Sequence, residues 1–192
     1  MQHKQSGRQL LLDQATRLFR AKGYSATSID DIANACGVTK GSIYYHFSGK
    51  EELVLAAMDQ VHHYFTEHIF RLITETSSPG EKELLAFNHA VETFFRDNPD
   101  GCLLANLSLE NGLNGEAYTQ RIHQFFDDWQ ACYFAVFSRY YSPPLAKDLA
   151  EDSVAIVHGC LLMYRINHDI AYLHRQHHRL MTLLSSAPQM EY

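Results

Sequence analysis

The segment at residues 27–53, TSIDDIANACGVTKGSIYYHFSGKEEL, contains two short amphipathic patterns separated by a glycine. The first places apolar residues three or four positions apart, as on one face of an α-helix, and Gly37 is suited to end that helix. The second pattern, at residues 39–47, places Ile43 and Phe47 on one face. Two short helices joined by a tight, glycine-containing turn are typical of a helix-turn-helix.

The predicted second helix combines compact hydroxyl groups, one lysine, one glycine and flat side chains with polar tips. In a helix-turn-helix this helix lies in the major groove, where such groups contact phosphates and base edges. Gly41 would let the backbone approach a phosphate, and Lys50 is predicted to reach the flanking DNA backbone. Thr27 is predicted to present its hydroxyl and amide to another phosphate. The predicted DNA-contacting residues are Thr27, Thr39, Lys40, Gly41, Ser42, Tyr44, Tyr45, His46 and Lys50.

The YYHF sequence has an alternative interpretation as ordinary aromatic packing at a helix end, which would be preferred if it stood alone. Phe47 is predicted to be a core residue in either case. The charge distribution favours DNA binding: residues 1–50 hold seven Lys/Arg and three Asp/Glu, a net charge of +4, whereas residues 51–192 hold nine and nineteen, a net charge of −10. A basic segment at the front of an acidic chain marks residues 1–50 as the predicted DNA-binding domain.

Helical patterns continue through the remainder of the 192 residues. Ser48-x-x-Glu51 is a capping box that predicts the start of a long helix ending near residue 75. Ser78, followed by proline and then glutamate, is predicted to cap the next helix. With four later helical patterns, the prediction is an all-α protein of about nine helices, in which an N-terminal three-helix head precedes a helical body.

The segment from about Leu10 to Met58 resembles the DNA-binding head of TetR-family transcriptional regulators in residue type and spacing. The rest of the chain matches that family only in helix number and length. The resemblance implies an all-helical homodimer, usually a repressor, bound to a palindromic operator of double-stranded DNA and released by a small-molecule effector. It also implies that the family's DNA-contacting positions fall on the nine residues given above, and that residues 51–192 form the effector-binding and dimerisation domain. Gly49 departs from the Ser, Thr or Asn that often precedes this lysine, which predicts a slightly looser hinge.

The last two predicted helices, at residues 145–167 and 168–184, form the candidate dimer face, because members of this family usually pair through a four-helix interface. Gly159 would permit close approach of two helices. The alternative is that the apolar stripes of these helices close the core of the monomer. The stripe residues are Val154, Val157, Leu161, Tyr164, Ile170, Leu173, Leu180 and Leu184.

Cys102 follows a turn and precedes a short apolar helix. A thiol at a helix N-terminus is favoured as the thiolate, and the GCL segment resembles a TetR subgroup in which a cysteine senses electrophiles or oxidants. The hypotheses are a reactive Cys102, a Cys102 that only lines the effector pocket, and a packed core residue. Phe125 and Trp129 are predicted to line an apolar effector cavity, although aromatic stripes at helical spacing are more often plain core.

Other classes of protein have weaker support. Four widely spaced cysteines without a CxxC pair disfavour a structural zinc site or a disulfide framework. His174 and His178 leave a metal-sensor alternative, and Cys102 with His158 leaves an enzyme alternative, but no metal-ligand cluster or nucleotide-binding motif supports either. No apolar run reaches the roughly 18 residues of a membrane span, and the start lacks a signal-peptide core. We therefore predict a cytoplasmic regulator without a cofactor, a bound metal or an enzymatic activity.

Overall fold

The structure is a computed structural model of the chain that describes residues 7–110, 113 and 115–186. Every regular element in these described residues is helical, as predicted. The chain forms two compact units: the first contains Met1–His62 and Leu103–Ile122, and the second contains His63–Cys102 and His123–Tyr192. The predicted division after residue 50 stays a prediction about function, because packing places residues 51–62 and 103–122 in the same unit as the first 50 residues.

The first unit contains four complete helices and parts of two others. Helix α1 packs against α2, α3 and α6, and α2 packs against α3. The core of the first unit includes Phe19, Ile32, Ile43 and Phe47, which are all almost completely buried. The elements are α1 (Gly7–Lys22), α2 (Ile29–Cys36), α3 (Lys40–His46), the start of α4 (from Lys50), α6 (Leu103–Ser108) and the first turns of α7 (Glu116–Phe137).

Local capping defines the two predicted short helices. The Asp31 amide donates to the Ser28 hydroxyl at 3.1 Å, and the Ser28 amide donates to the Asp31 carboxylate at 2.8 Å. This reciprocal capping box defines the start of α2. Gly37 ends α2 with a left-handed φ of 66°, as predicted, and Thr39 caps α3 by accepting the Ser42 amide at 3.4 Å.

The long helix α4 begins close to the predicted position, but its cap differs from the predicted one. Its first residue is Lys50, and the Leu53 amide donates to the Gly49 carbonyl. The carboxylate of Glu52, not of Glu51, accepts the Ser48 amide at 2.7 Å. The predicted Ser48–Glu51 capping box is therefore wrong by one position, because the helix begins only after Gly49.

Helix α4 is also less regular than predicted. It consists of an α-helical part (Lys50–Phe65), a π-helical turn (Thr66–Phe70) and a short α-helical end (Arg71–Thr74). A π-turn accommodates one extra residue and leaves backbone groups with altered partners. The buried Cys132 thiol lies 3.9 Å from the Phe70 carbonyl and contributes a weak hydrogen bond there. With α4 counted once, the described residues contain nine helices, which confirms the predicted number.

The second unit holds the rest of α4 and α7 together with α5 (Glu81–Asp97), α8 (Pro143–Asn167) and α9 (Ala171–Ser185). Helix α9 packs against both α8 and α5. The predicted Ser78 cap of α5 is wrong: Gly80 precedes the helix, and its amide donates to the Glu83 carboxylate at 2.9 Å. The Ser78 carbonyl instead accepts a hydrogen bond from Arg139 at 2.9 Å.

The core of the second unit is aromatic, and Phe65 lies at its centre. Its ring centroid is 4.8 Å from that of Phe94, 5.0 Å from Phe125 and 5.3 Å from Trp129. Most of these pairs are tilted or edge-to-face, the arrangement that the quadrupoles of aromatic rings favour. The two predicted cavity residues, Phe125 and Trp129, are therefore core residues of this unit.

Candidate nucleic-acid interface and helical body

Helix α3 has one buried face and one exposed face. Ile43 is completely buried and Phe47, at the end of the helix, is almost so. On the opposite face, Tyr44 is 54% exposed and Tyr45 is 84% exposed. This arrangement does not fit the alternative in which both tyrosines are core packing, because their rings contribute little to the core.

Polar groups surround the exposed tyrosines. The Thr39 and Ser42 hydroxyls lie 3.2 Å apart, and the Lys40 ammonium lies 2.7 Å from the Asp30 carboxylate on the surface. The hydrogen bond with Asp30 raises the pKa of Lys40, so the lysine stays cationic. Of the atoms in the described part of the chain, a Cβ at Gly41 would meet only the Thr39 hydroxyl, at 3.6 Å. No contact with these residues therefore requires a glycine there, in keeping with close approach by an external backbone.

His46 and Lys50 extend this surface. The His46 ring lies edge-on to the Tyr45 ring, with 4.9 Å between centroids. The Lys50 ammonium donates to the Tyr24 carbonyl at 3.0 Å and lies 4.1 Å from the centre of the Tyr24 ring. These two contacts anchor a positive charge at the start of α4, next to the turn between α1 and α2.

Thr27 does not present its hydroxyl as predicted. The side chain is almost completely buried, and its hydroxyl donates to the Gly23 carbonyl at 2.7 Å. Its amide donates to the Tyr24 carbonyl. Thr27 therefore stabilises the turn before α2, and its polar groups are not directed to solvent.

The predicted dimer stripes are largely interior, which supports the alternative interpretation of them. Tyr164 and Ile170 are half-buried. The other six stripe residues are buried: Val154, Val157, Leu161, Leu173, Leu180 and Leu184. For these six buried side chains the prediction of contact with a second protomer is wrong, because they close the core where α8 and α9 pack together.

A different face of α8 carries exposed apolar side chains. Leu162 is 59% exposed and Ile166 is 61% exposed, and Ile156 and Met163 are also exposed. A Cβ at Gly159 would have no atom of the described chain within 4 Å. Exposed apolar patches of this kind mark interaction surfaces, so this face of α8 replaces the predicted stripes as the candidate dimer surface.

The predicted effector-pocket residues lie in the second unit. Cys102 is only 4% exposed, and Phe125 and Trp129 are fully buried. The His158 ring packs against Trp129 at 5.1 Å, and its Nδ1 is 2.8 Å from the Val154 carbonyl. Its Nε2 is buried and has no hydrogen-bond partner among the described residues. The proposed Cys102–His158 enzyme pair is therefore not formed, since neither ring nitrogen of His158 bonds to a thiol.

A buried acid–histidine cluster connects α5 and α9. Glu92 accepts hydrogen bonds from Nδ1 of His177 at 2.6 Å and lies 3.2 Å from Nδ1 of His174. Glu92 has no obvious signature in the sequence, and its role is visible only once α5 and α9 pack together. His178 is exposed, and no group of three or more metal-ligating side chains occurs in the described part of the chain. The metal-sensor alternative rested on His174 and His178, whereas in the structure His174 and His177 both contact Glu92.

The cluster has a defined protonation pattern. Burial lowers the pKa of His177, although its hydrogen bond to Glu92 opposes the shift. Burial disfavours the Glu92 carboxylate, but the hydrogen bond from His177 and the nearby histidines outweigh it and lower the pKa of Glu92. At neutral pH, His177 is therefore neutral and donates a hydrogen bond to the ionised carboxylate of Glu92.

We expect the free energy of unfolding to decrease as the pH falls below 6.5, in part through His177. In the unfolded chain the imidazole takes up a proton near its ordinary pKa of 6.5, whereas the folded chain resists that protonation. Urea unfolding at several pH values between 7.5 and 5.5 measures the effect, which should be smaller in His177→Gln. His178→Gln, an exposed neighbour, is the control and should keep the wild-type slope. An unchanged slope in His177→Gln would contradict the assignment.

The first unit contains a short helix, α3, that packs against α1 and α2 and has an exposed face, and the second unit is also helical. This combination is typical of helix-turn-helix transcriptional regulators. The family model of bacterial regulatory proteins of the tetR family matches residues 11–57. The model of the LmrA/YxaF-like transcriptional regulator C-terminal domain matches residues 84–179. The chain belongs to the TetR family.

Individual relatives agree with the family match. The chain is 31% identical over 129 residues to the HTH-type transcriptional regulator LmrA of Bacillus subtilis (strain 168), covering 66% of this chain and 68% of LmrA. It is 28% identical over 171 residues to an uncharacterised HTH-type transcriptional regulator of Lactococcus lactis subsp. lactis, covering 85% of each. The crystal structure of a TetR transcriptional regulator from Legionella pneumophila matches with a TM-score of 0.83 and 24% identity, over 96% of this chain and 100% of that one.

The protein is therefore a DNA-binding transcriptional regulator that acts on an operator as a homodimer and responds to a small-molecule effector. No helix in the described ranges is both long and apolar enough to cross a bilayer. These matches do not assign the chain to the subgroup with a sensing cysteine, so a reactive Cys102 stays a prediction.

Proposed function

We propose that the protein is a cytoplasmic, non-enzymatic repressor that inserts α3 of each protomer into the major groove of a palindromic operator. The single observation that carries this proposal is the outward face of α3, where Tyr44 and Tyr45 are exposed although Ile43 and Phe47 on the other side are buried. Two large aromatic side chains exposed next to each other on a seven-residue helix mark this face as a candidate interaction surface. Flat rings with polar tips suit the edges of bases and the sugar–phosphate backbone.

The side chains around the tyrosines divide into two roles. Lys40 and Lys50 supply charge for phosphates, and Thr39 and Ser42 supply hydroxyl groups. Gly41 leaves room for a phosphate, whereas Tyr44, Tyr45 and His46 face the bases. Thr27 is not part of this set because its hydroxyl is used inside the turn.

Dimerisation makes the binding specific. The exposed stripe of α8, with Leu162 and Ile166 at its centre, would be covered by the same stripe of a second copy in a two-fold interface. Two recognition helices must then lie about 34–36 Å apart, or at a multiple of this distance, to read successive half-sites. An effector that binds more tightly to a form with another spacing lowers operator occupancy.

The effector is proposed to bind in the second unit, next to the aromatic core that contains Trp129 and Phe125. Among the residues that the structure describes, His158 Nε2 is buried there without a hydrogen-bond partner, and buried polar groups normally have one. Cys102 is almost completely buried, which favours a packing or lining role over direct reaction with a soluble electrophile. Cys102→Ser should therefore respond to methylglyoxal, quinone or hypochlorite as the wild-type protein does.

The α3 surface is tested with a duplex that the wild-type protein selects from a random library. Tyr45→Ala is expected to weaken binding to that duplex by about tenfold or more, because it removes an exposed side chain that is proposed to contact a base. Lys40→Ala is expected to weaken binding to all sequences and to reduce the slope of log affinity against log salt by about 1. The unfolding midpoints of both variants should remain close to that of the wild type, since both side chains are exposed.

Lys82→Ala and Tyr64→Ala are matched controls, because they remove the same groups from exposed positions of the second unit. Both should bind the selected duplex with wild-type affinity and salt dependence. If the two α3 variants also bind like the wild type, α3 does not read the operator.

A further inference from the structure

Glu110, which follows α6, places its carboxylate in the turn between α1 and α2. Oε1 accepts the Tyr24 amide at 3.1 Å, and Oε2 accepts the Ser25 amide at 3.3 Å. The two partners lie 86 and 85 positions away in sequence. A carboxylate that accepts two backbone amides makes charge-assisted hydrogen bonds, which are stronger than neutral ones.

Gly23 makes this contact feasible. Its φ is +87°, a left-handed conformation that favours glycine. A Cβ at Gly23 would also collide with Oε1 of Glu110. The glycine therefore serves two purposes: it ends α1, and it admits the carboxylate of Glu110 to the turn.

Tyr24, at the centre of this turn, connects it with α4 and α7. Its carbonyl accepts the Lys50 ammonium, which also lies above its ring. Its phenol lies close enough to that of Tyr118, in the first turns of α7, to help burial raise the pKa of Tyr118. Any movement of Glu110 that shifts Tyr24 would therefore also disturb Lys50, one of the proposed phosphate-binding residues.

Further polar contacts tie the same chain segment to the helices of the first unit. The Asn106 side chain donates to the Arg20 carbonyl at 3.0 Å, near the end of α1. Arg121 makes two hydrogen bonds with the Asp59 carboxylate of α4, at 2.7 and 3.0 Å. Within the first unit, Asn106, Glu110 and Arg121 thus contact the end of α1, the following turn and α4, respectively.

We infer that Glu110 is a positioning residue for operator recognition, an inference that rests on the proposed function of α3. The turn that Glu110 holds leads directly into α2, and α2 packs against α3. Fixing the turn limits the orientations of the two helices relative to α1 and α4, and so limits the sequences that α3 binds well. Glu110 acts through the turn and not by direct contact with DNA.

Because Glu110 is negatively charged, the direction in which its removal changes DNA affinity distinguishes two possible roles. A carboxylate near a DNA-binding surface repels phosphates, so its removal should strengthen binding to every duplex if Glu110 acts only through its charge. If Glu110 positions the turn, its removal should instead weaken binding to the operator and leave binding to unrelated DNA unchanged or slightly stronger. The ratio of specific to non-specific affinity separates the two roles.

The experiment measures the affinity of the full chain for the selected duplex and for a scrambled duplex of equal length. Glu110→Ala is expected to lower affinity for the selected duplex by about tenfold, the equivalent of one lost charge-assisted hydrogen bond. Glu110→Gln, which retains one acceptor oxygen, should lie between Glu110→Ala and the wild type. Glu116→Ala is the matched control, since it removes an exposed carboxylate from the same segment, and it should leave the affinity ratio unchanged.

Amide hydrogen exchange gives an independent readout that needs no DNA. The amides of Tyr24 and Ser25 should exchange faster in Glu110→Ala and Glu110→Gln than in the wild type or in Glu116→Ala. In addition, Gly23→Ala should weaken operator binding less in the Glu110→Ala background than in the wild type, because the collision with the carboxylate is then absent.

Wild-type affinity for the selected duplex in both Glu110 variants would overturn the inference. Stronger binding of both variants to the selected and the scrambled duplex would overturn it as well, since that result assigns Glu110 a purely repulsive role. If Glu110→Ala fails to fold, the ratio of affinities of Glu110→Gln for the selected and the scrambled duplex tests the inference instead. Normal binding by Tyr45→Ala and Lys40→Ala would instead refute the proposed function of α3, whatever the Glu110 variants do.

Discussion

Replacing Leu162 and Ile166 together with glutamate is expected to convert the homodimer into monomers and to remove specific operator binding. The two side chains are 59% and 61% exposed on α8, so glutamate is tolerated at both positions in a folded monomer. In a two-fold interface each substitution would bury carboxylates without partners, at a cost of several kcal/mol. We expect affinity for the selected duplex to fall by at least about a hundredfold, because a monomer loses the second half-site.

Analytical ultracentrifugation of the double variant gives the oligomeric state, and titration of the selected duplex gives the affinity. Leu85→Glu is the control, since Leu85 on α5 is also 59% exposed but lies outside the α8 stripe. It should remain dimeric and bind normally. A dimeric Leu162→Glu/Ile166→Glu variant with wild-type affinity would show that the protomers associate through a different surface.

Phe65→Ala is expected to lower the free energy of unfolding by about 3–5 kcal/mol, the usual cost of removing a buried phenylalanine. Phe65 is fully buried, and its ring contacts those of Phe94, Phe125 and Trp129. The loss combines the transfer free energy of the ring with the cavity that the surrounding rings cannot fill. Because the whole stability of a domain is about 5–15 kcal/mol, the variant should unfold at a much lower urea concentration.

Trp129 provides the signal for this measurement, since it is the single tryptophan of the chain and its ring centroid lies 5.3 Å from that of Phe65. Tyr64→Ala is the neighbouring control: the Tyr64 ring is partly exposed, so its loss should cost much less. Equal destabilisation by the two substitutions would contradict the central position of Phe65 in the core.

The two faces of α8 show where sequence reasoning reaches its limit. Val157 and Leu161 lie on a buried face, whereas Ile156, Leu162 and Ile166 lie on an exposed one. Both sets are apolar and have helical spacing. Periodicity alone therefore predicts that another surface covers each set, but it does not show whether that surface belongs to the same protomer or to a partner. The prediction selected the stripe that packs inside the monomer, and only the packing of α8 against α9 identified the stripe that remains for a partner.

The sequence by itself determined the helix-turn-helix, the number of helices and the outward face of α3. These features depend on interactions between residues a few positions apart, such as the Ser28–Asp31 capping box and the left-handed Gly37, and such interactions leave a pattern that is readable along the chain. Only the tertiary structure decided which carboxylate enters the turn at Gly23 and which histidine bonds to Glu92. Each of these pairs joins residues more than 80 positions apart, and a single sequence records the two partners without recording that packing brings them together.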